Sequence, residues 1–217
     1  DAHGFHWRAE GVEVSAGQSV EVRGDSMGVM GLDVAGHVGA EHGADIRRDV
    51  YERGPLRIVR TVCPIPGAAA GIEVSLELEN RGDQAVSVGV VSLAAMDGPQ
   101  TLRLGGVPVR DWHLLRQPRY KNDLPSACVL GRKDGAYRDA LRGLTEQGRP
   151  LRMDDEDMPN ELSSDQLTVL SAPTPALLIG FPNGRDALVR TTVSLDEATG
   201  ELRECRAVCL GDGAELA

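Results

Sequence analysis

The sequence predicts an all-β protein, a large antiparallel β-sandwich of the supersandwich kind with one or two short helices. Three observations carry that prediction. Ile72, Val74, Leu76 and Leu78 alternate with Glu73, Ser75, Glu77 and Glu79, the period-two pattern of a half-buried strand. Weaker runs of strand length recur along the chain, separated by turn clusters rich in Gly, Pro, Asn and Asp. Short strands with such regular punctuation favour a sandwich over alternating βαβ units.

The elements follow in order. Val12 to Val14 and Val20 to Arg23 read as two strands flanking Ala16-Gly17-Gln18. Leu56 to Val62 is apolar and β-branched, and Pro64 and Pro66 end it. Ile72 to Glu79, the cluster Asn80-Arg81-Gly82-Asp83 and the run Val86 to Leu93 read as an antiparallel hairpin. Leu167 to Leu170 and Leu177 to Phe181 form two short apolar strands around Pro173 and Pro175. Thr191 to Leu195 and Leu202 to Leu210 flank Asp196-Glu197-Ala198-Thr199-Gly200, a further hairpin turn. One helix is expected where Ala136, Ala140, Leu141 and Leu144 share a face, with Asp134 to cap its start and Gly148 beyond its end. Arg149 to Ser164 reads as a solvated loop. Its run Asp154-Asp155-Glu156-Asp157 lacks the Gly-spaced alternation of a calcium loop.

At 217 residues the chain suits one β-sandwich domain spanning 1–217, large enough to bury a core without disulfide or metal staples. Aromatic residues are 3% of the chain, so the core must come from Val, Leu, Ile and Ala, and few rings remain to stack on sugars or bases. A formal charge of −10 repels phosphate backbones and anionic lipid, which disfavours nucleic acid and membrane as partners. No apolar run approaches the ~20 residues that span a bilayer, and no signal-peptide pattern follows Asp1. Of the cysteines Cys63, Cys128, Cys205 and Cys209, none forms a C-x-x-C pair. Cys205 and Cys209 on one strand face stand about 13 Å apart, too far to bridge. No N-x-S/T sequon is present. Free thiols and the missing sequon point to a reducing, cytoplasmic location.

Several motifs invite a chemical reading. Gly24-Asp25-Ser26-Met27-Gly28 fits G-x-S-x-G, yet the glycine-rich stretch after it opposes the helix a nucleophile elbow requires, so Ser26 reads as a turn residue. His3, His6 and Glu10, and separately His37, His42 and Asp45, are loose metal-ligand clusters whose simpler reading is surface histidine. No metal or cofactor is expected. The best binding candidate is the segment Trp112 to Lys133, where Trp112, His113, Arg116, Arg119 and Tyr120 combine flat rings with guanidinium donors suited to sugar hydroxyls. Its competing role is to pack a long connection onto the sandwich.

A resemblance emerges from Val74 to Leu93, from Leu114-Leu115-Arg116-Gln117, and above all from Ser164-Asp165-Gln166-Leu167-Thr168-Val169-Leu170 followed by Ala176-Leu177-Leu178-Ile179-Gly180-Phe181. These strings resemble two adjacent strands and their neighbours in the N-terminal β-sandwich of family 36 glycoside hydrolases, the α-galactosidases and raffinose-synthase relatives. The resemblance implies a non-catalytic N-terminal piece of a longer enzyme. Its α-galactoside chemistry would belong to a barrel of ~250 residues, for which this chain has no room. It further implies roles in packing, homo-oligomer assembly and the rim of the carbohydrate site. Tyr120-Lys121-Asn122-Asp123 matches the family nucleophile string only in part, since Asn122 stands where a ring is expected, so no catalytic residue is carried over. The alternatives are a free-standing carbohydrate-binding module, which needs an exposed aromatic platform, and a small self-sufficient enzyme using Ser26 or a histidine cluster.

Overall fold

Period-two patterning becomes strand wherever one face of the segment can be buried. The computed structural model describes residues 4–23, 28–32, 36–43, 45–117, 126–129, 161–172, 174–182, 188–196 and 198–216. In chain order the strands are β1 (Phe5–Ala9), β2 (Val12–Arg23), β3 (Gly28–Gly31), β4 (His37–His42), β5 (Arg47–Arg53), β6 (Leu56–Pro64), β7 (Ile72–Asn80) and β8 (Val86–Asp97). They continue as β9 (Leu102–Leu104), β10 (His113–Arg116), β11 (Ser126–Val129), β12 (Glu161–Asp165), β13 (Leu167–Ser171), β14 (Ala176–Gly180), β15 (Leu188–Leu195) and β16 (Leu202–Leu216). Every described pairing is antiparallel, and the fold is an all-β sandwich.

A large sheet runs β1-β2-β8-β16-β15-β12, with β3 and β9 also paired to β2. Two four-stranded sheets, β4-β5-β6-β7 and β11-β10-β13-β14, complete the layers. Strand β2 shows how they are arranged. Val12, Val14 and Ala16 belong to a core shared with Leu114 of β10 and Leu170 of β13. Val20 and Val22 belong to a second core shared with Tyr51 of β5 and with Leu56 and Ile58 of β6. Alternate residues of a strand point to one side, so these even-numbered positions share a face. Both small sheets therefore cover the same side of the large one, side by side. Valine and leucine dominate the two cores, as the low aromatic content requires, and among the described residues Trp112 and Tyr51 are the buried rings.

Four expectations are corrected. Ile72 to Leu93 is not a hairpin: β7 pairs with β6 in a small sheet, whereas β8 pairs with β2 and β16 in the large one. The link between them is an arch from layer to layer, closed by the Gly82 amide on the Asn80 side chain at 3.0 Å and by the Arg81 amide on the Pro55 carbonyl at 2.7 Å. Period two specifies the buried face of each strand but not its neighbour. Second, Ala16-Gly17-Gln18 does not divide two strands. β2 runs through it, and the irregularity appears as register shifts against β8. Third, Ser164 to Leu170 is two strands in different sheets. β12 pairs with β15 and β13 with β10 and β14, and the chain crosses at Gln166, whose φ is 62°. The Ser164 hydroxyl holds this corner, accepting from the Gln117 amide at 2.7 Å and donating to the Leu167 carbonyl at 2.6 Å.

Fourth, Glu161 to Ser164, read as the end of a solvated loop, instead lies in β12, whereas two expected strand pairs are present. β13 and β14 are adjacent, and β15 and β16 form a hairpin. The Asp196 carboxylate closes that hairpin's turn by accepting from the amides of Ala198 and Thr199 at 3.0 and 2.8 Å. The helix expected from Asp134 to Gly148 and the acidic run Asp154 to Asp157 lie outside the described residues; the described helical element is the 3-10 turn Val109–Asp111. Among the described residues no helix is long and apolar enough to cross a membrane.

The two-core arrangement predicts unequal sensitivity. Leu114→Ala, at a position with no exposure, should lower unfolding free energy in urea by about 2–5 kcal/mol. Val38→Ala, at a position 58% exposed, should stay within about 0.5 kcal/mol of the parent protein.

Candidate functional site

Of the five residues proposed for binding, Trp112 and His113 face opposite sides of the chain, and the Arg116 side chain, Arg119 and Tyr120 lie outside what the structure describes. Trp112 is 1% exposed, and its indole N–H donates to the Val107 carbonyl at 2.9 Å. The ring is part of the first core and offers no platform to a sugar in solution. His113, the next residue along β10, is exposed on the other side of the strand. Arg116 ends β10, while Arg119 and Tyr120 lie outside the described residues. Ser26 and His3 lie outside them too.

Trp112 nonetheless forms the floor of a cleft of about 380 Å³. Three turns build it: the one after β8, the one joining β9 to the 3-10 turn, and the Asp196 hairpin turn. Gln100, Arg103, Arg110, Thr199 and Glu201 supply its polar rim. The middle turn needs two consecutive left-handed residues, Gly105 at φ 57° and Gly106 at φ 73°. Gly105 also has no room for a side chain, since a Cβ there would lie 3.0 Å from the Thr174 carbonyl oxygen and 2.9 Å from Pro175 Cδ. Arg103 reaches Glu13 at 3.6 Å. Guanidinium, hydroxyl and amide groups suit hydroxyl-rich or carboxylate-bearing solutes. Glycoside hydrolysis needs two facing carboxyl groups about 5–9.5 Å apart; among the described residues this cleft contributes one, Glu201.

A second polar cluster lies between the layers. Asp49 of β5 and Arg60 of β6 are directly opposite in register and fully buried. Arg60 donates to Asp49 Oδ2 from Nη2 at 2.6 Å and from Nε at 3.1 Å, and its Nη1 donates to Gln18 Oε1 at 3.1 Å. Gln18 in turn donates to the Leu93 carbonyl at 3.0 Å, tying the small sheet to the large one. Arg47 adds donors to both Asp49 oxygens, from Nε at 2.9 Å to Oδ2 and from Nη2 at 3.0 Å to Oδ1. The Arg60 guanidinium carbon lies 5.4 Å from the Tyr51 ring centroid. His37 stands edge-on to the same ring, with Nε2 3.5 Å from Asp49 Oδ1. Burial pushes the Asp49 carboxyl upward, but the donors and positive charges of Arg47 and Arg60 outweigh it and hold the carboxyl below its ordinary range.

Such a carboxylate is a poor base and is engaged by its arginines. Of the loose metal cluster, His37 turns toward Asp49 while His42 and Asp45 are exposed. No group of three or more His, Cys, Asp or Glu among the described residues is placed to hold a metal ion. Cys63, Cys205 and Cys209 are free thiols. Burial, with a smaller push from Glu204, raises the Cys205 thiol to about 12, which leaves it protonated and inert at neutral pH. Burial also raises Cys209.

Sequence reasoning passed over both clusters. The cleft joins turns far apart in sequence and has no local signature. The ion pair left a trace, since Arg60 follows Leu56 and Ile58 at the inward parity of β6, but only the strand register shows that Asp49 meets it.

No family model, no curated protein and no solved structure matches the chain.

Three outcomes follow from this arrangement. Asp49 has a folded-state pKa below its unfolded one, so its contribution to stability is present above the unfolded value and is lost as pH falls through the folded one. Melting temperature should fall on acidification below about pH 4. Asp49→Asn, which strands Arg60, should cost about 3–5 kcal/mol at neutral pH and flatten that acid limb. Peptide mapping after iodoacetamide treatment at mildly alkaline pH should find Cys205 unmodified in the folded protein and labelled once urea unfolds it.

Proposed function

We propose that this chain is a non-catalytic β-sandwich domain of an α-galactosidase-like glycoside hydrolase of family 36. In this proposal the galactoside chemistry belongs to a separate barrel, and the domain supports packing and the substrate rim. The supporting observation is that the buried charges Asp49 and Arg60 neutralise each other between layers instead of facing a cleft. The strings that carry the family resemblance also contribute β13 and β14, which are adjacent strands. Free thiols at Cys63, Cys205 and Cys209 support a reducing, cytoplasmic setting. The cleft over Trp112, with Arg103 and Arg110 at its mouth, is the surface that would contribute to a carbohydrate rim.

The chain alone should not hydrolyse p-nitrophenyl α-galactoside. An antibody raised against it should recover from native extract a polypeptide at least ~250 residues longer, enough for a barrel, that does hydrolyse it. A native polypeptide of 23.1 kDa, or turnover by the isolated chain, would overturn the proposal. Saturable binding of galactosides by the isolated chain would move the assignment to a free-standing carbohydrate-binding module.

A further inference from the structure

We propose that the β14 edge is a docking site for a second copy of this chain, which adds its own β14 antiparallel across a two-fold axis. The inference is independent of the glycosidase assignment.

Strand β14 is the last strand of its sheet, and among the described residues it pairs only with β13. The hydrogen bonds Ala172 N to Pro175 O and Phe181 N to Gln166 O, each 3.0 Å, bracket that ladder. Antiparallel ladders alternate, so Leu177 and Ile179 present their amides to β13. Ala176, Leu178 and Gly180 present theirs to the open edge.

Edges of this kind are templates for pairing, and folded proteins usually guard them with charge, proline or a bulge. Here no charged residue occurs between Asp165 and Arg185, and Pro175 and Pro182 lie outside the strand. The chain carries a formal charge of −10, so two copies repel across most of their surfaces. This uncharged stretch is where they can approach without opposing like charges.

The outer face completes the case. Leu115, Val169 and Leu178 lie in register across β10, β13 and β14. Leu115 is 42% exposed and Leu178 63%, and neighbouring Leu167 is 36% exposed. A two-fold centred on Leu178 pairs Leu178 with its copy and Ala176 with Gly180. These are the outward-facing residues, so the ladder closes on itself. The apolar row then continues from one copy into the next, burying leucines that water now covers.

Sedimentation velocity over a range of concentrations tests this. The expected result is a shift from 23.1 kDa toward twice that mass, strengthened by salt, which screens the mutual repulsion. Leu178→Lys places two ammonium groups at the axis and should weaken association at least about tenfold. Val38→Lys, on an exposed position of β4 in the other small sheet, should leave it unchanged. In the unaltered protein, hydrogen exchange at the Leu178 and Gly180 amides should slow as the dimer forms. A monomer at every concentration, a dimer indifferent to Leu178→Lys, or amides already protected in the monomer would each refute the proposal, the last because the edge would then be covered from within the same chain.

Discussion

One strand face supports two separate cores. The even-numbered side chains of β2 contribute Val12, Val14 and Ala16 to one core and Val20 and Val22 to the other. Gln18 falls between them, buried, and spends its polar groups on Arg60 of the small sheet and on the Leu93 carbonyl of the large one. At that junction neither small sheet supplies continuous apolar cover. A polar residue can be buried there only because each of its hydrogen-bonding groups finds a partner.

The Asp49–Arg60 pair follows from the same constraint. A guanidinium enclosed between two sheets is tolerable only if its charge and donors are met. Arg60 meets Asp49 with two nitrogens and Gln18 with a third, and its guanidinium carbon lies over the Tyr51 ring. Apolar residues of similar volume often stabilise as well as a buried pair does. What the pair adds is register: Asp49 and Arg60 are directly opposite across β5 and β6, and a slip of either strand by one residue would turn its member of the pair away from the core and strand the other. The cluster is thus suited to positioning a sheet, and its depressed carboxyl is unsuited to proton transfer.

The surfaces that remain are of two kinds. The turns at one end of the sandwich make a polar cleft over a buried tryptophan, while the second small sheet carries leucines on its outer face and an uncharged final strand. Among the described residues, the cleft offers guanidinium, amide and hydroxyl donors and one carboxylate, Glu201. Among the described residues no strand pairs with the outer side of β14, and apolar side chains lie beside it, the combination that favours strand addition.

The amino-acid order alone determined the class of the fold, the inward and outward faces of β7, the aliphatic makeup of the cores and the Asp196 turn. Each depends on residues within a few positions of one another, where side-chain alternation and turn geometry act directly. The three-dimensional arrangement decided what depends on distant neighbours. It sent β7 and β8 to different layers, carried the chain between sheets at Gln166, and turned Trp112 inward although its neighbours suggested a binding segment. It also matched Arg60 with Asp49. A period of two states that a side chain is buried; what it is buried against is set by which strands the connections allow to meet.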